Sequence, residues 1–311
     1  MKLKEKLSSW EAYNHLVERW ILVKDVLQRG MKQLNIAGEI KAVRPVSGGD
    51  INEAFYVLAN ETAFFVKLNR SVTAAFFELE AEGLRTIEAS DTIAVPKTYG
   101  VVTDSETGIP MLWLEWITGE KTRETDTLLG EQLAQMHQTV GEKYGYDGTT
   151  YIGSLKQKND KTDSWLEYYR DYRLAGQLEL GRERNTIYGT REEKLVTLME
   201  RLYMWVPEQP GTHLLHGDLW GGNWMIGEKG RPYLIDPSIL YGDHEFEIAF
   251  TQLFGGFSDQ FYDAYTSIFP LSDSYGDREP IYQLYYLLVH LNMFGEGYGS
   301  SVDRILAYYV G

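Results

Sequence analysis

The run His216-Gly217-Asp218-Leu219-Trp220-Gly221-Gly222-Asn223 is followed, after a short segment, by Tyr233-Leu234-Ile235-Asp236-Pro237. Its residue types suit phosphoryl transfer. That reaction needs a group to orient the acceptor hydroxyl and take its proton, and oxygen ligands to hold Mg²⁺ against the phosphates. Asp218 can serve as the base, and Asn223 and Asp236 as the ligands. Trp224-Met225-Ile226, a turn from Gly227 to Gly230 and Tyr233-Leu234-Ile235 predict a hairpin. Asn223 and Asp236 then fall at neighbouring strand ends, where both oxygens can reach one cation. Taken singly, Asp218 would read as a turn residue and Asp236 as a solvated strand end; it is their combination with Asn223 that suits phosphoryl transfer.

Asp218 and Asn223 are five residues apart, as are the Asp and Asn of the protein-kinase loop H-R-D-x-x-x-x-N, and a second Asp follows in both. The spacing implies a kinase-like C-lobe with ATP as phosphoryl donor, and hence an N-lobe to hold the nucleotide. Lys41 to Val46 and Ala54 to Ala59 read as strands around Ser47-Gly48-Gly49-Asp50-Ile51-Asn52. Paired glycines there let backbone N–H groups approach phosphates, although Gly-Gly-Asp also makes ordinary hairpin turns. In the strand Ala63 to Asn69, alternation sets Phe65, Lys67 and Asn69 against Phe64, Val66 and Leu68. Lys67 on so apolar a strand suits a point charge on phosphates. A helix from Thr73 to Glu88, turned about 100° per residue, gathers Phe77, Glu80, Leu84 and Ile87 on one face. Glu80 is the acid on that face, and Lys67 is the cation to pair with it. Met111 to Gly119 reads as a strand entering an interlobe hinge, with backbone from Glu115 through Trp116 to Ile117 facing the adenine; a ligand-free core strand fits the same residue types.

At 311 residues the chain can bury a large core and form two domains. Thirty Lys and Arg against 45 Asp and Glu give a net charge of -15, which disfavours nucleic acid and anionic membranes as partners and suits a neutral or cationic substrate. There is no long apolar run or signal sequence, so a cytoplasmic protein is expected. With no cysteine, disulfides, thiol nucleophiles and Cys-ligated metals are excluded, and six scattered histidines argue against a metal cluster. The fold expected is α+β and two-lobed. Residues 1–117 form an N-lobe with an N-terminal helix (Trp10 to Leu34) and a small antiparallel sheet. Residues 118–311 form a mainly helical C-lobe, with helices at Thr125–Thr139, Asp163–Gly181, Arg191–Trp205, Glu245–Phe254, Ser258–Phe269 and Pro280–Gly295. Gly141 to Asp163 reads as the longest irregular stretch, serving either specificity or flexible linkage.

The chain resembles the fructosamine (ketosamine) kinase family, relatives of aminoglycoside and choline kinases. The resemblance covers most of the length. It lies chiefly in Leu215 to Asn223, in Asp236-Pro237-Ser238 with Tyr241-Gly242, and in Leu253-Phe254-Gly255-Gly256-Phe257. Further matches are Ile152-Gly153-Ser154 with Gln157 and Asn159; Trp165, Tyr168, Tyr169, Arg173, Leu174 and Gln177; and Tyr282 to Leu288 with His290-Leu291-Asn292 and Phe294-Gly295. It implies phosphorylation of a ketosamine sugar hydroxyl, typically O3 of a fructosamine or ribulosamine, which destabilises the adduct and permits deglycation. Position by position, Asp218 would be the base, Asn223 and Asp236 the Mg²⁺ ligands, Lys67 with Glu80 the phosphate contact, and Ser47 to Asn52 the nucleotide loop. Trp220 would belong to the sugar pocket or pack under the catalytic loop.

Asp50 stands where some relatives carry a loop cysteine, and would turn away from phosphates. Gly242-Asp243-His244-Glu245-Phe246-Glu247 replaces a run the family usually writes Gly-His-Arg-Glu-Ala-Asp, which leaves the acceptor open and sets Glu247 at the substrate end. Gly217 in place of the Arg of H-R-D, and the absence of D-F-G and A-P-E, argue against a protein substrate. A kinase for an aminoglycoside or an amino alcohol such as choline is the alternative enzyme. A silent nucleotide-binding protein is the alternative class, disfavoured because base, metal ligands and lysine are all present. His216 and His137 read as structural, the first bonding backbone near the catalytic loop and the second closing its helix.

Overall fold

The computed structural model describes residues 22–47 and 51–311. It divides into two compact units, Met1–Glu82 with Pro96–Ile117, and Gly83–Val95 with Thr118–Gly311. The first unit holds an antiparallel sheet of β1 (Ile40–Val46), β2 (Glu53–Ala59), β3 (Thr62–Leu68), β4 (Thr98–Thr103) and β5 (Pro110–Glu115), in the order β1-β2-β3-β5-β4. A helix over residues 22–33, α1, sets Val23, Val26, Leu27 and Met31 at helical spacing. They share a core with Phe55, Val57, Phe64, Val66, Met111 and Trp113 from alternate positions of β2, β3 and β5. Burial of that face leaves Phe65 and Lys67 on the other. Asn35, in the left-handed conformation, ends the chain's first described helix; the expected start at Trp10 lies outside the described residues.

Helix α2 (Ala74–Ala89) buries Phe77, Ala81, Leu84 and Ile87 and exposes Glu78, Glu82 and Arg85. The sequence division at residue 117 kept 83–95 with the sheet. Its contacts lie with the second unit: a side chain on Gly83 would meet Pro237, and Ala94 bridges to Tyr233.

The second unit contains helices α3 (Thr125–His137), α4 (Trp165–Tyr168), α5 (Ala175–Arg184), α6 (Gly189–Glu200), α7 (His244–Leu253), α8 (Asp259–Ile268), α9 (Tyr275–Phe294) and α10 (Gly299–Val310). A π-helical stretch, Tyr169–Leu174, joins α4 to α5. The expected helix at Asp163–Gly181 is therefore three consecutive pieces, while α10 and β4 were not expected. The expected irregular stretch contains a hairpin of β6 (Thr150–Ile152) and β7 (Leu155–Gln157). Two further pairs frame the catalytic segments, β8 (His213–Leu215) with β11 (Leu240–Gly242), and β9 (Trp224–Ile226) with β10 (Pro232–Leu234). Aromatic rings fill the interior: Phe250 of α7 stacks on Tyr286 of α9 at 3.5 Å between centroids, and Trp165 packs on Tyr168, Tyr169 and Phe246.

Candidate active site

In the second unit, β8 delivers His216-Gly217-Asp218, and the β9–β10 hairpin holds Asn223 and Asp236 at its two ends. The Ile235 N–H donates to the Asn223 carbonyl (3.0 Å), joining those ends. Asn223 donates through Nδ2 to the Asp218 carbonyl (2.7 Å) and to the Asp218 carboxylate (3.1 Å). Its amide nitrogen is thereby committed, and Oδ1 is the atom it can present to a cation. Asp236 adopts φ of 56°, a conformation non-glycine residues rarely take. Poor solvation pushes the Asp218 carboxyl well above the usual carboxylate range, the Asp236 charge pushes it further, and the Asn223 bond opposes both.

Gly217 has φ of 82°, and a Cβ there would lie 2.0 Å from the Ser238 carbonyl oxygen. This explains why glycine fills the position between His216 and Asp218. The approach is locked by the Ser238 N–H donating to the His216 carbonyl at 2.8 Å. The His216 ring bonds the Ile235 carbonyl (2.8 Å) through Nε2, so this histidine ties the two catalytic segments together.

Glu247 requires a correction. It is fully buried and accepts from the backbone N–H groups of His216 (3.0 Å) and Gly217 (2.6 Å) and from His137 Nε2 (2.8 Å). A carboxylate so enclosed cannot line an acceptor pocket; it fixes the catalytic loop from beneath. Burial alone would raise its pKa, but the bonds from His137 and Gly217 and the nearby His216 hold it below the ordinary glutamate value. His137 ends α3 as expected, and its other ring nitrogen meets the Tyr265 hydroxyl at 2.6 Å. The surrounding Asp243 to Glu247 run is buried too, with Asp243 capping α7 and Glu245 paired with Arg278 at 2.6 Å. Trp220 is 43% exposed, which excludes the core-packing alternative. Its indole lies across Gly222, where a Cβ would sit 2.3 Å from the ring.

In the first unit, Lys67 Nζ lies 2.7 Å from Glu80 Oε1, with Lys67 only 5% exposed. A buried ion pair of this kind fixes the ammonium in one place. Asn69 donates to the Ile51 carbonyl and to Asn52 Oδ1, both at 3.0 Å, and so anchors one end of the Ser47 to Asn52 segment. Gly48, Gly49 and Asp50 lie outside the described residues. Glu115 closes β5, its N–H donating to the Lys97 carbonyl (2.9 Å) and its carboxylate accepting from the Lys97 N–H (3.1 Å). Trp116 packs its ring edge-on against Tyr56 at 4.9 Å.

Sequence reasoning missed three supports. Gln157 bridges the hydroxyls of Ser238 (2.8 Å) and Tyr285, the Tyr286 hydroxyl donates to the Gly217 carbonyl (3.1 Å), and Gly256 (φ 96°) places a would-be Cβ 2.7 Å from the Gly221 Cα. The last contact accounts for Gly221 and Gly256, one glycine of each signature, because the two backbones touch there.

Residues 22–310 match the family model for fructosamine kinase. The chain belongs to the fructosamine kinase family. A provisionally named ketoamine kinase of Enterococcus faecium is 41% identical over 281 residues, covering 90% of this chain and 98% of that protein. A protein-ribulosamine 3-kinase of Arabidopsis thaliana, chloroplastic, is 35% identical over 279 residues, covering 88% of this chain and 84% of the relative. Among solved structures, one from Haemophilus somnus, provisionally named a fructosamine-3-kinase, has a TM-score of 0.82 at 30% identity, covering 93% and 97% of the two chains. The aminoglycoside phosphotransferase APH(4)-Ia, at 16% identity and a TM-score of 0.59, shares the kinase-like fold alone. Membership in the fructosamine kinase family makes this chain a phosphotransferase of the ketosamine-kinase type. Among its described residues no helix is long and apolar enough to cross a membrane.

Proposed function

We propose that the chain transfers the γ-phosphoryl group of ATP to a sugar hydroxyl, O3, of a fructosamine or ribulosamine. The observation that carries this reading is the Asp218–Asn223 arrangement, in which a poorly solvated carboxylate is aimed by an amide whose oxygen stays available to a cation. Asp218 takes the proton of the acceptor hydroxyl as the new O–P bond forms and the bond from Pγ to the β-phosphate oxygen breaks, releasing ADP. Lys67, held by Glu80, contacts the phosphates. Asn223 and Asp236 are hard oxygen donors suited to Mg²⁺, which takes one or two protein oxygens and fills its shell with phosphate and water. When bound there, the ion neutralises charge on the phosphates; Asp218, Asn223 and Lys67 supply orientation and proton acceptance. Trp220 offers an exposed indole face to the sugar. The compartment proposed here is the cytoplasm, one of those that supply ATP.

The test is ADP release with ATP and Mg²⁺ on a panel of fructosamines, ribulosamines, choline and an aminoglycoside, with Asp218→Asn in parallel. Turnover on ketosamines that falls by about 10²–10⁴-fold in the variant is expected. Turnover confined to choline or the aminoglycoside would overturn the acceptor assignment while leaving the phosphotransferase reading intact.

A further inference from the structure

An aromatic cluster continues from the catalytic loop along the second unit. Phe254 and Phe294 are 41% and 55% exposed, large apolar rings presented to solvent. Between them stands His290, 4.7 Å from Phe254, 5.6 Å from Phe294 and 5.1 Å from Tyr298, measured between ring centroids. His290 Nδ1 donates to the Tyr286 carbonyl at 2.8 Å, which fixes the tautomer and leaves Nε2 as a lone-pair acceptor. Partial burial lowers its pKa and keeps the ring neutral.

Two features tie this cluster to the chemistry. Phe250 and Tyr286 stack, and the Tyr286 hydroxyl bonds the Gly217 carbonyl beside Asp218; Phe254 and His290 are each four residues further along, about 6 Å at an α-helical rise. The loop after Phe254 then lays Gly256 on Gly221, next to the exposed Trp220. The turn carrying Tyr298 is also held in place, because Arg191 binds both Glu296 (2.6 Å) and Asp303 (2.8 Å). A preorganised set of π-faces around one neutral acceptor nitrogen suits a group with an N–H, a positive charge and an alkyl or aryl body.

We propose that Phe254, His290, Phe294 and Tyr298 form the subsite for the amine-bearing half of the acceptor, with His290 Nε2 accepting from its N–H and the rings covering its substituent. This inference rests on the ketosamine reading above and adds which part of the acceptor the enzyme grips beyond the sugar.

The experiment measures KM and kcat for the fructosamines of methylamine and of benzylamine, and KM for ATP, in the parent, Phe294→Ala, Phe254→Ala and His290→Leu. Both phenylalanines are exposed enough for truncation to spare the core, and Tm provides the check. Each alanine variant is expected to raise KM for the benzylamine adduct by about 5- to 30-fold relative to that for the methylamine adduct. His290→Leu is expected to raise KM for both adducts, since both carry the N–H, without a matching rise in KM for ATP. A parent that phosphorylates both adducts, with alanine variants that shift both KM values equally, would overturn the subsite alone. A parent inert on every ketosamine would overturn the function and the subsite together.

Discussion

At Gly217 and Asp218 local conformation and chemistry are inseparable. The Gly217 backbone is left-handed, and any side chain would strike the Ser238 carbonyl. Gly217→Ala should therefore cost about 1–3 kcal/mol in stability and reduce kcat more than KM for ATP, because the strained residue adjoins the base. Chemical denaturation with steady-state kinetics checks both. For Asp218 the sign follows from a folded-state pKa above its unfolded value. The native state then holds its proton more tightly, so ionisation lowers stability as pH rises from the unfolded pKa through the folded one. Asp218→Asn should accordingly leave Tm at neutral pH equal to or above the parent's while turnover is lost. Catalysis requires the ionised form, so kcat/KM of the parent should climb with pH and level off once Asp218 is ionised. A Tm well below the parent's would show that Asp218 contributes to stability instead.

Among the elements, α7 supports the catalytic loop. Glu247 is depressed in pKa by partners it meets only in the fold, so its contribution to stability is complete above the unfolded glutamate value and is lost as pH falls through the lower folded one. Glu247→Gln should flatten that acid limb and cost about 1–3 kcal/mol at neutral pH, since it disturbs buried hydrogen bonds from His137 and from the His216 and Gly217 N–H groups. His137→Ala should destabilise more than it alters acceptor preference. An intact fold with abolished turnover in that variant would assign His137 a direct role in the reaction. The same element shows where sequence reading stops. Lys67 and Glu80 were legible because strand and helix periodicity place each on a definable face. The β9–β10 hairpin was legible because its turn is glycine-marked. The buried role of Glu247 was not, because nothing local in the sequence brings His137, 110 positions away, against it, and the acid reads as part of the acceptor end. The β6–β7 strands are three residues each in a Gly- and Thr-rich stretch, too short for alternation to register, and α10 opens on Gly299-Ser300-Ser301, which reads as loop.

The whole molecule carries a net charge of -15, and both of its substrates must diffuse through that field. MgATP is anionic and a ketosamine with a protonated amine is cationic, so salt should act on them in opposite directions. Screening at an ionic strength near 0.15 M shortens the reach of exposed charges to about 8 Å. Raising salt from low values to that range should lower kcat/KM for a cationic ketosamine, leave a neutral N-acylated analogue nearly unchanged, and raise kcat/KM for ATP modestly. Steering of this kind acts on encounter, so kcat itself should not move. If both substrates lost kcat/KM in parallel as salt rose, attraction local to each binding site would outweigh the global field. The acidic surface would then be a device for solubility and would contribute nothing to acceptor choice.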